Sequence, residues 1–152
     1  PTDSSAASDV YKRQARASSV SMIPSSTGAA KAVGLVLPQL QGRLDGTAVR
    51  VPTPNVSMID LVFNSKRKID TVTINKAMIN ASKGELKGVL GVEDKPLVSI
   101  DYNHNPLSSI FDLTQTQVIN GRLGRILSWY DNEWGFANRM SDTASFIGKL
   151  IN

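Results

Sequence analysis

The feature that most restricts the fold is the octapeptide SWYDNEWG at residues 128–135, with two tryptophans, two acids, an asparagine and a glycine. Only 6% of the residues are aromatic, so such a cluster is not expected from composition alone. Residues 126–130, which overlap its start, are rich in β-forming residues, and Asp131 and Asn132 can cap a following helix. The segment therefore predicts a strand that turns directly into a helix, with a side-chain amide held at the turn.

Three segments have the apolar spacing of helices. The first begins after Gly28 and ends at about Pro38, because proline cannot occupy a helix interior. The second covers residues 71–82 and is followed by Gly84, which favours a helix stop. The third starts in the octapeptide and places apolar side chains on one face, at Phe136, Met140, Ala144 and Ile147.

Strand-like patterns are concentrated towards the second half of the chain, at residues 48–63, 98–102, 109–113 and 122–130. Pro52 and Pro54 interrupt the first of these, which predicts one or two strands there. The turn sequences NHNP and NG separate the others. Clustered strands with helices at intervals predict an α+β fold, with a mixed, largely antiparallel sheet and helices packed on one face.

The composition narrows the class of protein. The 152 residues are 41% hydrophobic and 20% charged, which is typical of a globular domain. No apolar run approaches the ~20 residues needed to cross a bilayer, so no membrane partner is expected. With no cysteine and a single histidine, His104, no metal site is predicted, and the NHNP turn favours a surface role for that histidine.

The net charge of +4 suits an enzyme of phosphorylated substrates and a dinucleotide. It also permits nucleic-acid binding, but the basic residues are scattered among acids, so nucleic acid is not the expected partner.

Residues 1–14 differ from the rest, because they begin with a polar, small and non-periodic run that is typical of a disordered tail. We predict that they are a separate leader, disordered or foreign to the domain, although a natural tail is an alternative. The domain proper is then expected over residues 15–152.

Two further segments have the chemistry of anion sites. The sequence SSTGAAKAV at residues 25–33 places Thr27 and Gly28 at a helix start, where free N–H groups and the helix dipole favour an anion. The sequence RVPTPNVS at residues 50–57 begins with Arg50, and an arginine on a rigid element can bind phosphate through two N–H groups. Taken alone, these residues are better explained as a helix cap and a surface arginine.

The octapeptide and these two segments together resemble the corresponding motifs of phosphorylating glyceraldehyde-3-phosphate dehydrogenases of the bacterial type, over residues 15–152. The resemblance implies the C-terminal catalytic domain of that family, which has the predicted α+β architecture. It also implies NAD as cofactor, glyceraldehyde 3-phosphate and inorganic phosphate as substrates, and a cytoplasmic homotetramer.

By the same resemblance, Thr27 and Gly28 hold inorganic phosphate and Arg50 contacts the substrate phosphate. Asn132 meets the nicotinamide carboxamide, which fixes the ring face that takes the hydride, and Phe136 lies beside the nicotinamide. The family's catalytic cysteine and histidine belong to a segment upstream of anything matched here. No catalytic residue is therefore assigned, and the chain alone is expected to be inactive.

Gln14 stands near the place of another phosphate-binding arginine of the family, so that contact is left unassigned. Two alternatives stay open. Residues 102–106 and 114–118 also resemble the sister erythrose-4-phosphate dehydrogenases. A non-catalytic assembly or nucleic-acid-binding module would fit the pI of about 9.5, and a salt-dependent affinity for oligonucleotides would indicate it.

Overall fold

The computed structural model describes Arg13 and residues 16–151. Apart from Arg13, the predicted leader and Gln14 lie outside the described residues, so the boundary between residues 14 and 15 stays a prediction. The chain divides into two compact units, Pro1–Pro54 and Asn55–Asn152, and each is described by itself.

The first unit contains a two-stranded antiparallel ribbon of β1 (Ile23–Ser26) and β2 (Thr47–Arg50). Helix α1 (Ala29–Val36) follows β1 and ends just before Pro38, which confirms the helix predicted there. The Thr47 hydroxyl donates to the Ser25 carbonyl at 2.8 Å and reinforces the ribbon. Strand β1 had no clear signal in the sequence pattern.

The second unit is built on a five-stranded sheet with two helices, α2 (Thr71–Lys83) and α3 (Asn132–Ile151). Its strands are β3 (Ser57–Asn64), β4 (Leu90–Glu93), β5 (Ser109–Asp112), β6 (Gln117–Ile119) and β7 (Leu123–Tyr130). The order is β3-β7-β5-β4, and β6 also pairs with β7. Only the β4–β5 pair among these is parallel, so the predicted α+β class with a mixed, largely antiparallel sheet is confirmed.

Strand β7 is the strand that positions the site. It pairs with β3 along its whole length, from Leu123 opposite Asn64 to Tyr130 opposite Ser57. On its other edge it pairs with β6 near its start and with β5 near its end. Because both edges are hydrogen-bonded, the backbone that leads into α3 has little freedom to move.

Helix α2 confirms the helix predicted over residues 71–82. Its N-cap is Asp70, whose carboxylate accepts the Thr73 N–H at 2.6 Å, and Gly84 is its C-cap. Asn75 anchors the helix, since its amide donates to the Leu113 carbonyl at 3.0 Å. None of the helices in the described residues is both long enough and apolar enough to cross a bilayer.

The strand predicted at residues 98–102 is wrong, because Ser99–Tyr102 is a 3₁₀ helix. The Val98 N–H donates to the Asp101 carboxylate at 2.9 Å, and the Asp101 N–H donates to the Val98 carbonyl at 3.0 Å. This local turn competes with strand pairing. The alternation in the sequence does not mark a single buried face, because Tyr102 is buried while Val98 and Ile100 are exposed.

A core cluster of the second unit lies next to the end of β7. It is formed by Val56, Tyr102 and Ile110, against which Leu97, Leu107 and Trp129 pack. The Tyr102 and Trp129 rings stack with their centroids 5.5 Å apart. The first tryptophan of the octapeptide therefore belongs to the core.

Candidate functional site

Asp131 forms the joint between β7 and α3. Its side chain is 1% exposed, and its Oδ1 accepts the Trp134 N–H at 3.0 Å, while its backbone carbonyl accepts the Gly135 N–H at 2.9 Å. These two bonds make Asp131 the N-cap, and Asn132 is the first residue of the helix. The Asn132 side chain is therefore not used for capping.

The second carboxylate oxygen of Asp131 joins two other segments to this joint. Its Oδ2 accepts the Asn55 side-chain amide at 2.9 Å and the His104 backbone N–H at 2.9 Å. The Asn55 amide also donates to Asn103 Oδ1 at 2.7 Å. The residues before β3, the turn after the 3₁₀ helix and the start of α3 thus meet at one buried carboxylate.

The electrostatics of Asp131 follow from these donors. Burial alone would raise the pKa of its carboxyl group, but the N–H groups of Trp134 and His104 and the Asn55 amide stabilise the charged form. The pKa of Asp131 is lowered from its ordinary value as a result. The carboxylate is charged at neutral pH and serves as an acceptor only.

His104 contributes its backbone more than its imidazole. Its side chain is exposed, which agrees with the expectation of a surface histidine, and its ring lies 4.7 Å from that of Trp134 at a tilt of 36°. Its φ of 60° turns the chain so that its N–H reaches Asp131. The NHNP sequence predicted a turn, but gave no sign of this contact.

Val56, next to Asn55, is strained. Its φ is 70°, a region that β-branched residues rarely adopt, and its side chain is only 6% exposed. Packing against Tyr102 and Ile110 stabilises this conformation. The backbone beside the Asn55 donor is therefore held by the core.

Asn132 and Phe136 share one face of α3, because residues four apart on a helix are neighbours. Asn132 is exposed, Phe136 is 66% exposed, and no side-chain hydrogen bond joins Asn132 to another described residue. An amide beside an exposed aromatic ring fits an aromatic ligand that carries a carboxamide, as nicotinamide does. The predicted cofactor residues are therefore brought together and are accessible.

Gly135 allows α3 to approach the chain before β5. A Cβ atom at this position would lie 3.1 Å from the Leu107 carbonyl oxygen, so any larger residue would press on the backbone. The glycine of the octapeptide thus fixes the distance between α3 and that loop.

The predicted phosphate residues lie in the first unit. Gly28 is the N-cap of α1, and the Thr27 hydroxyl oxygen accepts the Ala29 N–H at 3.2 Å, so these two residues are together. Arg50 is exposed at the end of β2, opposite Ile23, whereas Thr27 follows the other end of β1. At ~3.3 Å per residue, four residues separate Ile23 from Thr27 by about 13 Å along the strand. The ribbon therefore keeps Arg50 apart from Thr27 and Gly28.

Asp112 is a buried acid that the sequence reasoning missed. It is 2% exposed and accepts the Thr114 N–H at 3.0 Å, the Thr114 hydroxyl at 2.6 Å and the Trp129 indole N–H at 3.1 Å. Burial, together with the nearby charge of Asp112, raises the pKa of Tyr102 to about 12. No local spacing marks Asp112, because its partner Trp129 lies on another strand.

Residues 2–132 match the family description "glyceraldehyde 3-phosphate dehydrogenase, C-terminal domain", so the chain falls in the class of dehydrogenase C-terminal domains. That match covers most of the sequence. The chain therefore belongs to the glyceraldehyde 3-phosphate dehydrogenase family.

Individual relatives agree with this family. The chain is 63% identical to the glyceraldehyde-3-phosphate dehydrogenase of Xanthobacter flavus over 150 residues, which are 99% of this chain and 44% of the relative. It is 58% identical to that of Cereibacter sphaeroides, over 99% of the chain and 45% of the relative. It is 51% identical to glyceraldehyde-3-phosphate dehydrogenase 1 of Bacillus subtilis, over 90% of the chain and 41% of the relative. The chain thus spans less than half the length of these relatives.

Proposed function

We propose that this chain is the C-terminal part of an NAD-dependent phosphorylating glyceraldehyde-3-phosphate dehydrogenase. In this proposal Asn132 and Phe136 bind the nicotinamide, Thr27 and Gly28 bind inorganic phosphate, and Arg50 binds the substrate phosphate. The observation that carries it is the exposed Asn132 amide, which is free for a ligand because Asp131 supplies the cap of α3. The reported relatives are all named for glyceraldehyde 3-phosphate, which favours this substrate over erythrose 4-phosphate.

The proposed nicotinamide contact pairs two complementary amides, that of Asn132 and the carboxamide of the ligand. A bound NAD would supply a hydride acceptor for the aldehyde carbon once a thiolate has added to it. The Asn132 side chain offers one N–H₂ donor and one carbonyl acceptor, which complement the acceptor and donor of the carboxamide. Such a pair orients the ring, and Phe136, one turn further along α3, adds an apolar surface that excludes water.

The phosphate end depends on donors in the first unit. Because the Thr27 oxygen already accepts the Ala29 N–H, its own O–H is left to donate to an anion. Gly28 has no atom within 4 Å of the position a Cβ would take, so an anion can approach its backbone closely. The Arg50 guanidinium can donate two parallel bonds to a second phosphate.

The nucleophile would come from another part of the protein. These 152 residues contain no cysteine, and an acyl-enzyme mechanism needs a thiolate to attack the aldehyde. We therefore expect the chain alone to have no dehydrogenase activity. We also propose a homotetramer in the cytoplasm, and the half-exposed Met58, Ile59 and Val62 of β3 support burial of this strand in an assembly.

The assignment is tested in a hybrid that joins this chain to the preceding part of the Xanthobacter flavus relative. Arg50→Ala should lower kcat/KM for the phosphorylated aldehyde about ten- to a hundredfold, because a charge-assisted contact contributes roughly 1.5–3 kcal/mol. The same substitution should leave kcat/KM for unphosphorylated aldehydes nearly unchanged. Thr27→Ala should raise the KM for inorganic phosphate, and Asn132→Ala the KM for NAD.

The matched control is Arg43→Ala, which removes the same charge from an exposed position in the first unit and should change none of the three constants. Equal losses for phosphorylated and plain aldehydes in Arg50→Ala would refute its role. An unchanged KM for NAD in Asn132→Ala would refute the nicotinamide contact.

A further inference from the structure

We propose that Asp131 is the positioning residue of the nicotinamide contact: with Asn55 and the turn at His104, it fixes the place from which Asn132 reaches the cofactor. This inference rests on the proposed function of Asn132. It assigns Asp131 no contact with the ligand.

Asn132 lies on a stretch of backbone that the hydrogen bonds of Asp131 hold in place. Its predecessor Asp131 is bonded outside the helix to Asn55 and His104, and inside the helix to Trp134. Asn132 lies within this closed turn, so its backbone follows the position of the carboxylate. An amide that must meet a ligand amide needs its Cα held in this way, because its side chain has only two rotatable bonds.

Capping of the helix does not by itself require an aspartate at position 131. Asparagine and serine cap helices as well as aspartate does, and neither carries a charge that is costly to bury. Asp131 meets three N–H donors, two at Oδ2 and one at Oδ1. Only a carboxylate accepts at both oxygens, since an asparagine would turn an N–H₂ group towards at least one donor. The joint is built to fix three segments together.

Asn55 lies in the same RVPTPNVS segment as Arg50. Its amide donates to both Asn103 Oδ1 and Asp131 Oδ2, so both of its N–H groups are used inside the second unit. The strained and buried Val56 follows directly. The second half of the RVPTPNVS segment is therefore hydrogen-bonded to the start of α3. The sequence did not suggest this role.

The test is a double-mutant cycle on the hybrid described above, with the dissociation constant of NAD measured by calorimetry. Asp131→Asn should weaken NAD binding roughly three- to tenfold, which corresponds to the free energy that one neutral hydrogen bond contributes. If Asp131 acts through Asn132, the same substitution in an Asn132→Ala background should add less than about twofold. The dissociation constant of inorganic phosphate should not change.

Two further variants complete the design. Asn55→Ala removes one donor without stranding another, and it should weaken NAD binding in the same direction but less, which keeps the test valid if Asp131→Asn folds poorly. Asp60→Asn is the matched control, because it removes a carboxylate that pairs with Arg125 at 2.8 Å on the exposed face of the same sheet. It should leave NAD binding unchanged.

The outcomes separate the two proposals. Unchanged NAD affinity in Asn132→Ala would refute the proposed nicotinamide contact. The positioning role alone would be refuted if Asn132→Ala weakened NAD binding while Asp131→Asn and Asn55→Ala both left the dissociation constant of NAD unchanged. If Asp131→Asn weakened NAD binding by the same factor in the wild-type and the Asn132→Ala backgrounds, the positioning role would also be refuted. The effect would then be a general loss of structure.

Discussion

Replacing Asp131 by asparagine should destabilise the second unit strongly, although the two side chains have the same shape. With the new carbonyl oxygen at the Oδ2 position, Asn55 and His104 keep an acceptor, but the Trp134 N–H then faces an N–H₂ group. An unpaired buried donor costs about 1–3 kcal/mol, and the change of two charge-assisted bonds into neutral ones adds roughly 1–2 kcal/mol. The lower cost of burying a neutral group offsets part of this. We expect a net loss of about 2–4 kcal/mol in the free energy of unfolding.

The assay is urea unfolding of the 152-residue chain, followed by tryptophan fluorescence. The two tryptophans of the chain, Trp129 and Trp134, lie on either side of Asp131, so the signal reports on this joint. Asp60→Asn is again the control and should cost no more than ~1 kcal/mol, since its ion pair with Arg125 is exposed to solvent. If Asp131→Asn cost as little as Asp60→Asn, the three bonds would not hold the joint, and the reasoning would be wrong.

The remaining predictions concern pH and two glycines. Because the pKa of Asp131 is lowered, its charged form stabilises the fold at pH values above its ordinary pKa of 3.8, and this contribution is lost as the pH falls through the lower folded-state pKa. The wild type should therefore lose more stability than Asp131→Asn between about pH 5 and pH 2. A parallel loss in both proteins, measured by urea unfolding at each pH, would contradict this. Gly135→Ala should destabilise by about 1–2 kcal/mol, because its Cβ would press on the Leu107 carbonyl, in a segment that backbone and side-chain hydrogen bonds hold in place. Gly148→Ala on the same helix meets nothing within 4 Å and should instead stabilise by roughly 0.5 kcal/mol, so two losses of equal size would show that packing at Gly135 is not the cause.

Much of the fold could be predicted because its signals are local. The step from strand to helix at Asp131 follows from β-forming residues before a capping residue, and helix α2 follows from apolar spacing, Asp70 and Gly84. The turn at Asn120 and Gly121 was also visible, and both residues have the positive φ that such turns require. The short strand β4 was missed, because its sequence LGVE contains glycine and glutamate, two residue types that are depleted in strands.

The candidate site was predictable only in part. Asn132 and Phe136 could be proposed from the motif, but which residue caps the helix could not, because aspartate and asparagine cap equally well. The bonds to Asp131 from Asn55 and His104 join residues 76 and 27 positions apart, and nothing in either local sequence signals them. Asp112 was missed for the same reason, since its burial depends on the pairing of β5 with β7.

The pairing of β3 with β7 also determines when the site can form during synthesis. Partners along this pair are 59 to 73 residues apart, from Asn64 with Leu123 to Ser57 with Tyr130. At a ribosomal rate of about 5–20 residues per second, β3 waits roughly 3–15 seconds before its partner has been made. During that time Met58, Ile59 and Val62 lie on an unpaired strand, which is the kind of segment that chaperones bind and that aggregates when left exposed. Asn55 lies two residues before β3, and its bond to Asp131 cannot form until translation has reached residue 131.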